Sequence, residues 1–333
     1  MAHYLVTGGA GFIGSHIVEA LIAQGHQVRT LDDLSTGTLD NLATVRDRIE
    51  FLGGDIRDRR LMPRACEGVE YVIHEAAWRS VPKSMADPCG YTEVNVLGTV
   101  NLLEAALKAK VKRVVCASSS SVYGETDEMP LREDRPVRPI SPYAASKLAD
   151  ELYCGLFARG LGLETVAVRY FNVFGPRQSF ENDYAVVIPK FISCLMRQES
   201  PPVYGDGKQT RDFTYVENVV EATIAASQTD GIGGEVLNIA LGEEHSVLEL
   251  LDALNEIMGT RSPPSFKPPR SGDVRRTLAD SSKAQRVLRW RGRVTFTEGL
   301  RRTVAWFRAH PERLVRTPHN TPLGSGLGVG GSG

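Results

Sequence analysis

Apolar residues along this chain fall into short runs, separated by longer stretches in which they recur every three to four positions. Tyr4–Thr7, Val28–Leu31, Glu50–Leu52, Tyr71–Ile73, Arg113–Cys116, Thr165–Arg169 and Glu235–Ile239 read as buried strands. Helical spacing runs from Phe12 to about Gln24, from Thr92 to Lys110 (through Val96, Val100, Leu103 and Leu107), and over Lys190–Arg197, Glu217–Ser227 and Val247–Met258. Alternating strands and helices predict an α/β fold, a Rossmann-like doubly wound parallel sheet with a smaller α/β lobe. Ligands in such a sheet bind at the carboxyl ends of the strands.

Beyond residue 172 the alternation loosens into turns at Gly205–Gly207, a proline-rich passage from Pro263 to Pro269, and a glycine and serine tail from Gly324. Residues 1–172 are expected to form the dinucleotide-binding domain, with returning segments near 213–240. Residues 173–310 are expected to be mainly a substrate lobe, and 311–333 a flexible tail. No repeat period is present.

Punctuation supplies the first chemistry. Gly8, Gly11 and Gly14 break the first strand into the first helix, and Asp32 ends the second strand about 20 residues later. Glycines there permit a tight turn and close approach of the backbone to a pyrophosphate, which the helix N-terminus then attracts. A carboxylate at Asp32 accepts from a ribose 2′-hydroxyl and repels a 2′-phosphate, which favours NAD over NADP. The second set is Ser118–Ser121, followed by Tyr143 and Lys147. Tyrosine and lysine at i and i+4 share a helix face, so the ammonium can favour the phenolate and make Tyr143 a general base.

Composition narrows the classes. The 333 residues carry a formal charge of −1 with no basic block, which gives no electrostatic reason to bind nucleic acid or an anionic membrane. Five cysteines lack any CxxC spacing and are expected to be reduced, without disulfides or a metal site. No signal peptide or apolar run of membrane length occurs, so the expected location is cytoplasmic.

With TGGAGFIG, LDDLSTG, GGDIRD, SSSSVYG, SPYAASK, RYFNVFGPRQ and GDGKQTRDFTYVENVV in order, the chain resembles the extended short-chain dehydrogenase/reductase family. Within it, the chain resembles the nucleotide-sugar 4-epimerases of the UDP-galactose/UDP-N-acetylglucosamine type. The resemblance implies Tyr143 as base, Lys147 as its partner and a ribose ligand, and Ser119 as a hydrogen-bonding group on the reacting hydroxyl. It implies NAD contacts at Gly8, Gly11, Phe12, Ile13, Gly14, Asp32, Asp55, Ile56, Ala76, Ala77, Arg79, Asn95, Ser118 and Tyr170, with Arg79 standing where some relatives carry a lysine near the pyrophosphate. UDP-sugar contacts are implied at Ser120, Ser121, Asn172, Val187, Tyr204, Arg211, Arg270, Asp273 and Thr277. It also implies a homodimer through helices near Thr92–Lys110 and Pro142–Arg159.

Two departures discriminate among relatives. Sugar dehydratases carry an acidic pair, and UDP-glucuronate decarboxylases a glutamate, where this chain has Ser120 and Ser121. Thr277 stands where a bulky tyrosine excludes 2-acetamido sugars. These point to a UDP-GlcNAc/UDP-GalNAc 4-epimerase that also takes plain hexoses. UDP-glucuronate 4-epimerisation, with Arg177 meeting the carboxylate, and a catalytically silent NAD-binding scaffold are the alternatives.

Overall fold

The computed structural model describes residues 1–180, 186–269 and 274–314. A seven-stranded parallel sheet runs from edge to edge as Glu235–Ile239, Thr165–Tyr170, Arg113–Ser119, Tyr71–His74, His3–Thr7, Gln27–Asp32 and Glu50–Gly53. This is the doubly wound Rossmann-type sheet that the apolar runs predict, with strand order reversing outward from His3–Thr7. Every residue of Thr165–Tyr170 is buried, as expected of a central strand covered on both faces.

On one face the Phe12–Ala23 helix packs against Val216–Gln228, with Ile17, Val18 and Leu21 beside Val216, Val220 and Ile224 in one apolar core. On the other, Leu102, Leu103 and Ala106 of Gly98–Lys108 and Cys154 of the Pro142–Leu156 helix cover Leu5, Val72 and Val114. Both layers bury whole apolar side chains, each contributing about 1.5–3 kcal/mol relative to exposure.

The helix expected over Thr92–Lys110 is broken in two. Thr92–Leu97 winds with wide π-type turns before the regular Gly98–Lys108 helix begins. The wide turn carries Asn95 inward, and a side chain on Gly98 would strike Ile56 at 2.6 Å. Such turns concentrate at functional sites.

The smaller lobe rests on pairings distant in sequence. Thr210–Asp212 lies between Glu244–Ser246, antiparallel, and Arg276–Thr277, parallel. Ser265–Lys267, inside the proline-rich passage, forms a short parallel strand against Pro202–Tyr204. Prolines flank that strand without removing its pairing. Among the described residues no helix is long and apolar enough to cross a membrane, no cluster could hold a metal ion, and all five cysteines are free thiols.

Candidate active site

The chain turns at Gly8, whose amide donates to Leu31 O at 2.8 Å, while the Gly11 amide donates back to Gly8 O at 3.0 Å. Gly8 has φ +68, and a Cβ there would lie 2.7 Å from the Ala76 amide nitrogen; a Cβ on Gly14 would lie 2.2 Å from Gly8 O. Only glycine fits at either place, so the turn brings the helix start, Gly8 and the Ala76 corner together. The Phe12–Ala23 helix begins at Gly11 with no side-chain cap and no acidic residue in its first turn. Its free N–H groups suit a phosphate. The buried Asp32 carboxylate accepts from Ala10 N at 2.9 Å and Leu34 N at 2.8 Å. Burial pushes this carboxyl upward and the two amides pull it down, with burial the larger effect. It retains lone pairs for a ribose hydroxyl. The residues present therefore fit a dinucleotide.

A cavity of about 370 Å³ opens from this turn across the sheet. Phe12, Ile13, Arg79, Ser118, Ser119, Ser120, Ser121, Tyr143, Tyr170, Asn172, Arg211 and Thr277 line it, all of them expected from sequence; Val81, Gly124, Ile140, Ser141, Val173, Gln178, Val186 and Val274 line it too, without having been expected. Val187, the expected wall residue, starts the next helix beside Val186. Tyr204 lines a separate hollow with Asp206, Lys267 and Arg275; Val274 borders both. Arg270 and Asp273 lie outside the described residues.

Several expected contacts are held by other partners. Asn95, fully buried, accepts from Trp78 N at 2.8 Å and donates to Trp78 O at 3.0 Å and Ser146 Oγ at 2.9 Å, bracing the loop behind the wall. Asp55 is gripped by Arg57 at 2.5 Å, and its neighbour Ile56 is core. Ala76 packs against the same core, and Ala77 follows it on the loop after Tyr71–His74. Ser118 lines the cavity yet donates its hydroxyl to Glu151 Oε1 at 2.5 Å. Arg177, the expected carboxylate ligand of a uronate, is bound by Glu19 at 2.7 Å and donates to Ser15 Oγ at 3.3 Å.

The serine and tyrosine elements meet as their spacing predicts. Ser119 ends its strand and caps the following turn, with its Oγ 3.2 Å from the Ser121 amide and 2.8 Å from Ser121 Oγ. Ser141 caps the Pro142–Leu156 helix by accepting from Ala144 N at 3.1 Å, and Pro142 fills the first turn, where it needs no amide. That cap sets Tyr143 at the cavity, edge-on to Tyr91 with ring centroids 6.4 Å apart. Lys147 is buried on the same helix and donates from Nζ to Asp150 Oδ2 at 3.1 Å. At the sugar end, Asn172 has φ +33 and donates to Thr277 Oγ1 at 3.1 Å. Thr277 pairs in register with Arg211, so one short sheet presents both.

Three buried carboxyls beside this site, Glu151, Asp212 and Asp150, and the half-buried Glu75 were not anticipated. Glu151 holds Arg169 through two bonds of 2.8 and 2.7 Å, and Arg169 stacks 4.6 Å from the Tyr123 ring. Asp212 accepts from Gly242 N and Ala279 N, and burial pushes its carboxyl up to about 7. Glu75 accepts from Tyr170 at 2.7 Å, and burial pushes it up to about 7 as well. Asp150 and Glu151 fall three and four residues after Lys147, on the helix face of the base; that spacing was the available signal.

Comparison with known proteins agrees with this geometry. The family model described as GDP-mannose 4,6 dehydratase matches residues 5–303. A putative UDP-glucose 4-epimerase from Methanocaldococcus jannaschii is 41% identical over 306 residues, covering 91% of this chain and 98% of that protein. The solved UDP-N-acetylglucosamine 4-epimerase from Methanobrevibacter ruminantium M1, in complex with UDP-N-acetylmuramic acid, superposes with a TM-score of 0.89 at 40% identity, covering 93% of this chain and 99% of that one. The UDP-glucuronic acid 4-epimerase from Bacillus cereus, in complex with UDP-glucuronic acid and NAD, gives 0.86 at 32% identity, with 92% and 99% covered. On the span of that family model and the identity to these relatives, the chain belongs to the GDP-mannose 4,6-dehydratase family of extended short-chain dehydrogenases/reductases.

Proposed function

We propose that this protein is an NAD-dependent 4-epimerase of UDP-sugars, acting on UDP-GlcNAc/UDP-GalNAc and also on UDP-Glc/UDP-Gal. One observation carries the reading. Tyr143 and Ser119 share a cavity whose described lining contains no carboxylate, so a base for the 4-hydroxyl is present and, among the described residues, an acid to expel a 6-hydroxyl is not. Dehydration needs that acid; epimerisation does not.

The division of labour follows from the chain's own groups. Tyr143 takes the proton of the 4-hydroxyl, which Ser119 orients. The glycine turn, the helix start and Asp32 would hold NAD, which when bound supplies the hydride acceptor for C4 and returns the hydride. Arg211 anchors the diphosphate end through a forked guanidinium, letting the hexose of the 4-keto sugar turn without leaving. Anchoring of this kind is a positioning contribution.

Thr277 sets the sugar's room. It is small, buried and held by Asn172 at 3.1 Å. Thr277→Tyr is expected to cut turnover of UDP-GlcNAc roughly 10–200-fold while sparing UDP-Glc. A panel of UDP-Glc, UDP-GlcNAc and UDP-GlcA on wild type and variant, without added NAD, checks both. No turnover of any of the three by NAD-loaded protein would refute the reading. A rate led by UDP-GlcA would favour the uronate alternative, for which Arg177, held by Glu19, gives no support.

A homodimer is part of the same proposal. Leu97, Leu152 and Leu156 are exposed on the two segments expected at the interface. Sedimentation at the mass of one chain across micromolar concentrations would contradict it.

A further inference from the structure

The Tyr143–Lys147 pair is not electrically simple. Lys147 is 3% exposed, and its ammonium meets the fully buried Asp150 carboxylate at 3.1 Å. The other oxygen of that carboxylate, Oδ1, has no hydrogen-bond partner. A cation compensated this closely by a buried anion favours a neighbouring phenolate much less than a bare one does. Arg79 presents the opposite case. It lines the same cavity as Tyr143, and among the described residues it has no carboxylate partner. Its backbone carbonyl is tied by the Tyr91 hydroxyl at 3.0 Å, and the Tyr91 ring stands edge-on to Tyr143. The guanidinium is therefore carried on a loop fastened beside the base.

Resting on the proposed role of Tyr143 as the base, we propose that Asp150 and Arg79 set how readily Tyr143 yields its proton: Asp150 as the fixed counter-ion that offsets Lys147, Arg79 as the cation on the same cavity wall as the phenol, without a carboxylate partner among the described residues. Asp150 acts through Lys147 and is a positioning residue. The surroundings agree. Arg79 is exposed to solvent where it lines the cavity; desolvation lowers its guanidinium, with Tyr143 and Tyr91 opposing that shift. Burial raises the Asp150 carboxyl, opposed by Lys147. The other titratable groups facing these residues are His74, Glu75 and Cys116 toward Lys147, Glu151 toward Asp150, and Tyr91 toward both Tyr143 and Arg79. His74 is held neutral by burial, between Thr7 Oγ1 at 2.6 Å and Thr99 Oγ1 at 2.9 Å.

The two residues act with opposite sign, which makes the test sharp. Tyrosinate formation is followed by ultraviolet titration of the full chain, with the Tyr143→Phe spectrum subtracted to isolate Tyr143. Asp150→Asn frees the charge of Lys147, so the Tyr143 midpoint should fall by roughly one pH unit; Arg79→Gln should raise it by less, because Arg79 is screened by solvent. Asp150→Glu, which restores an anion, should return the midpoint toward wild type. In NAD-loaded enzyme the acid limb of kcat/KM should fall with Asp150→Asn in the same way. Unchanged midpoints, or shifts of one sign in both variants, would overturn the proposal. Should Asp150→Asn fail to fold, Arg79→Gln still decides, since it lies on a cavity loop. The titration needs no turnover, so its outcome is independent of whether any UDP-sugar reacts.

Discussion

Replacing Tyr143 by phenylalanine is expected to lower kcat about 10²–10⁴-fold while UDP and NAD still bind. The ring keeps its edge contact with Tyr91, and the cap at Ser141 and the Lys147–Asp150 pair are untouched. Only the hydroxyl proposed to take the proton is lost. A loss confined to kcat marks an interaction made in the transition state, whereas a matching rise in KM would mean that Tyr143 mainly binds. Steady-state kinetics with UDP-GlcNAc, alongside calorimetric binding of UDP, separates the two.

Glu151→Ala is expected to destabilise the fold by about 3–5 kcal/mol, a large share of the stability of an ordinary domain. The side chains of Glu151 and Arg169 are each 4% exposed, and one carboxylate serves both Arg169 and the Ser118 hydroxyl. Removing it leaves a buried guanidinium with, among the described residues, the Tyr123 face as its remaining partner. Tyr123 is itself fixed by donation to Asn238 Oδ1 at 2.8 Å, on the edge strand of the sheet. The variant thus loosens two strands and the floor beneath the serine run. Glu151→Gln keeps the shape and some of the bonds, and should cost clearly less. Chemical denaturation of the three proteins measures the difference; a loss below 1 kcal/mol for the alanine variant would show that water or rearrangement replaces the carboxylate.

The reach of the sequence ended where partners are distant along the chain. The glycine turn, Asp32, the serine run and Tyr143–Lys147 are local patterns whose meaning lies in spacing, and the structure brings the turn, the serines and the tyrosine to neighbouring walls of one cavity. The strand runs were equally legible, because a covered parallel strand must be apolar on both faces. Arg177 shows the opposite: its partner Glu19 lies 158 residues earlier, and nothing near either residue announces the pair. The same holds for Ser265–Lys267, whose pairing with Pro202–Tyr204 lends regularity to a proline-rich passage. Lys147 was read with the right neighbour on one side only. Its helix face also carries Asp150, whose carboxylate three residues on meets the ammonium at 3.1 Å.

The central claim is that the hydrogen on C4 leaves and returns as hydride while only the hydroxyl proton passes to Tyr143. It is tested most directly by epimerising UDP-GlcNAc deuterated at C4 in ordinary water and reading the product by mass spectrometry. Retention of the deuterium at C4 of the UDP-GalNAc formed, with none released to solvent, is the expected result; loss of the deuterium to water would show abstraction of the carbon-bound hydrogen as a proton and contradict the account.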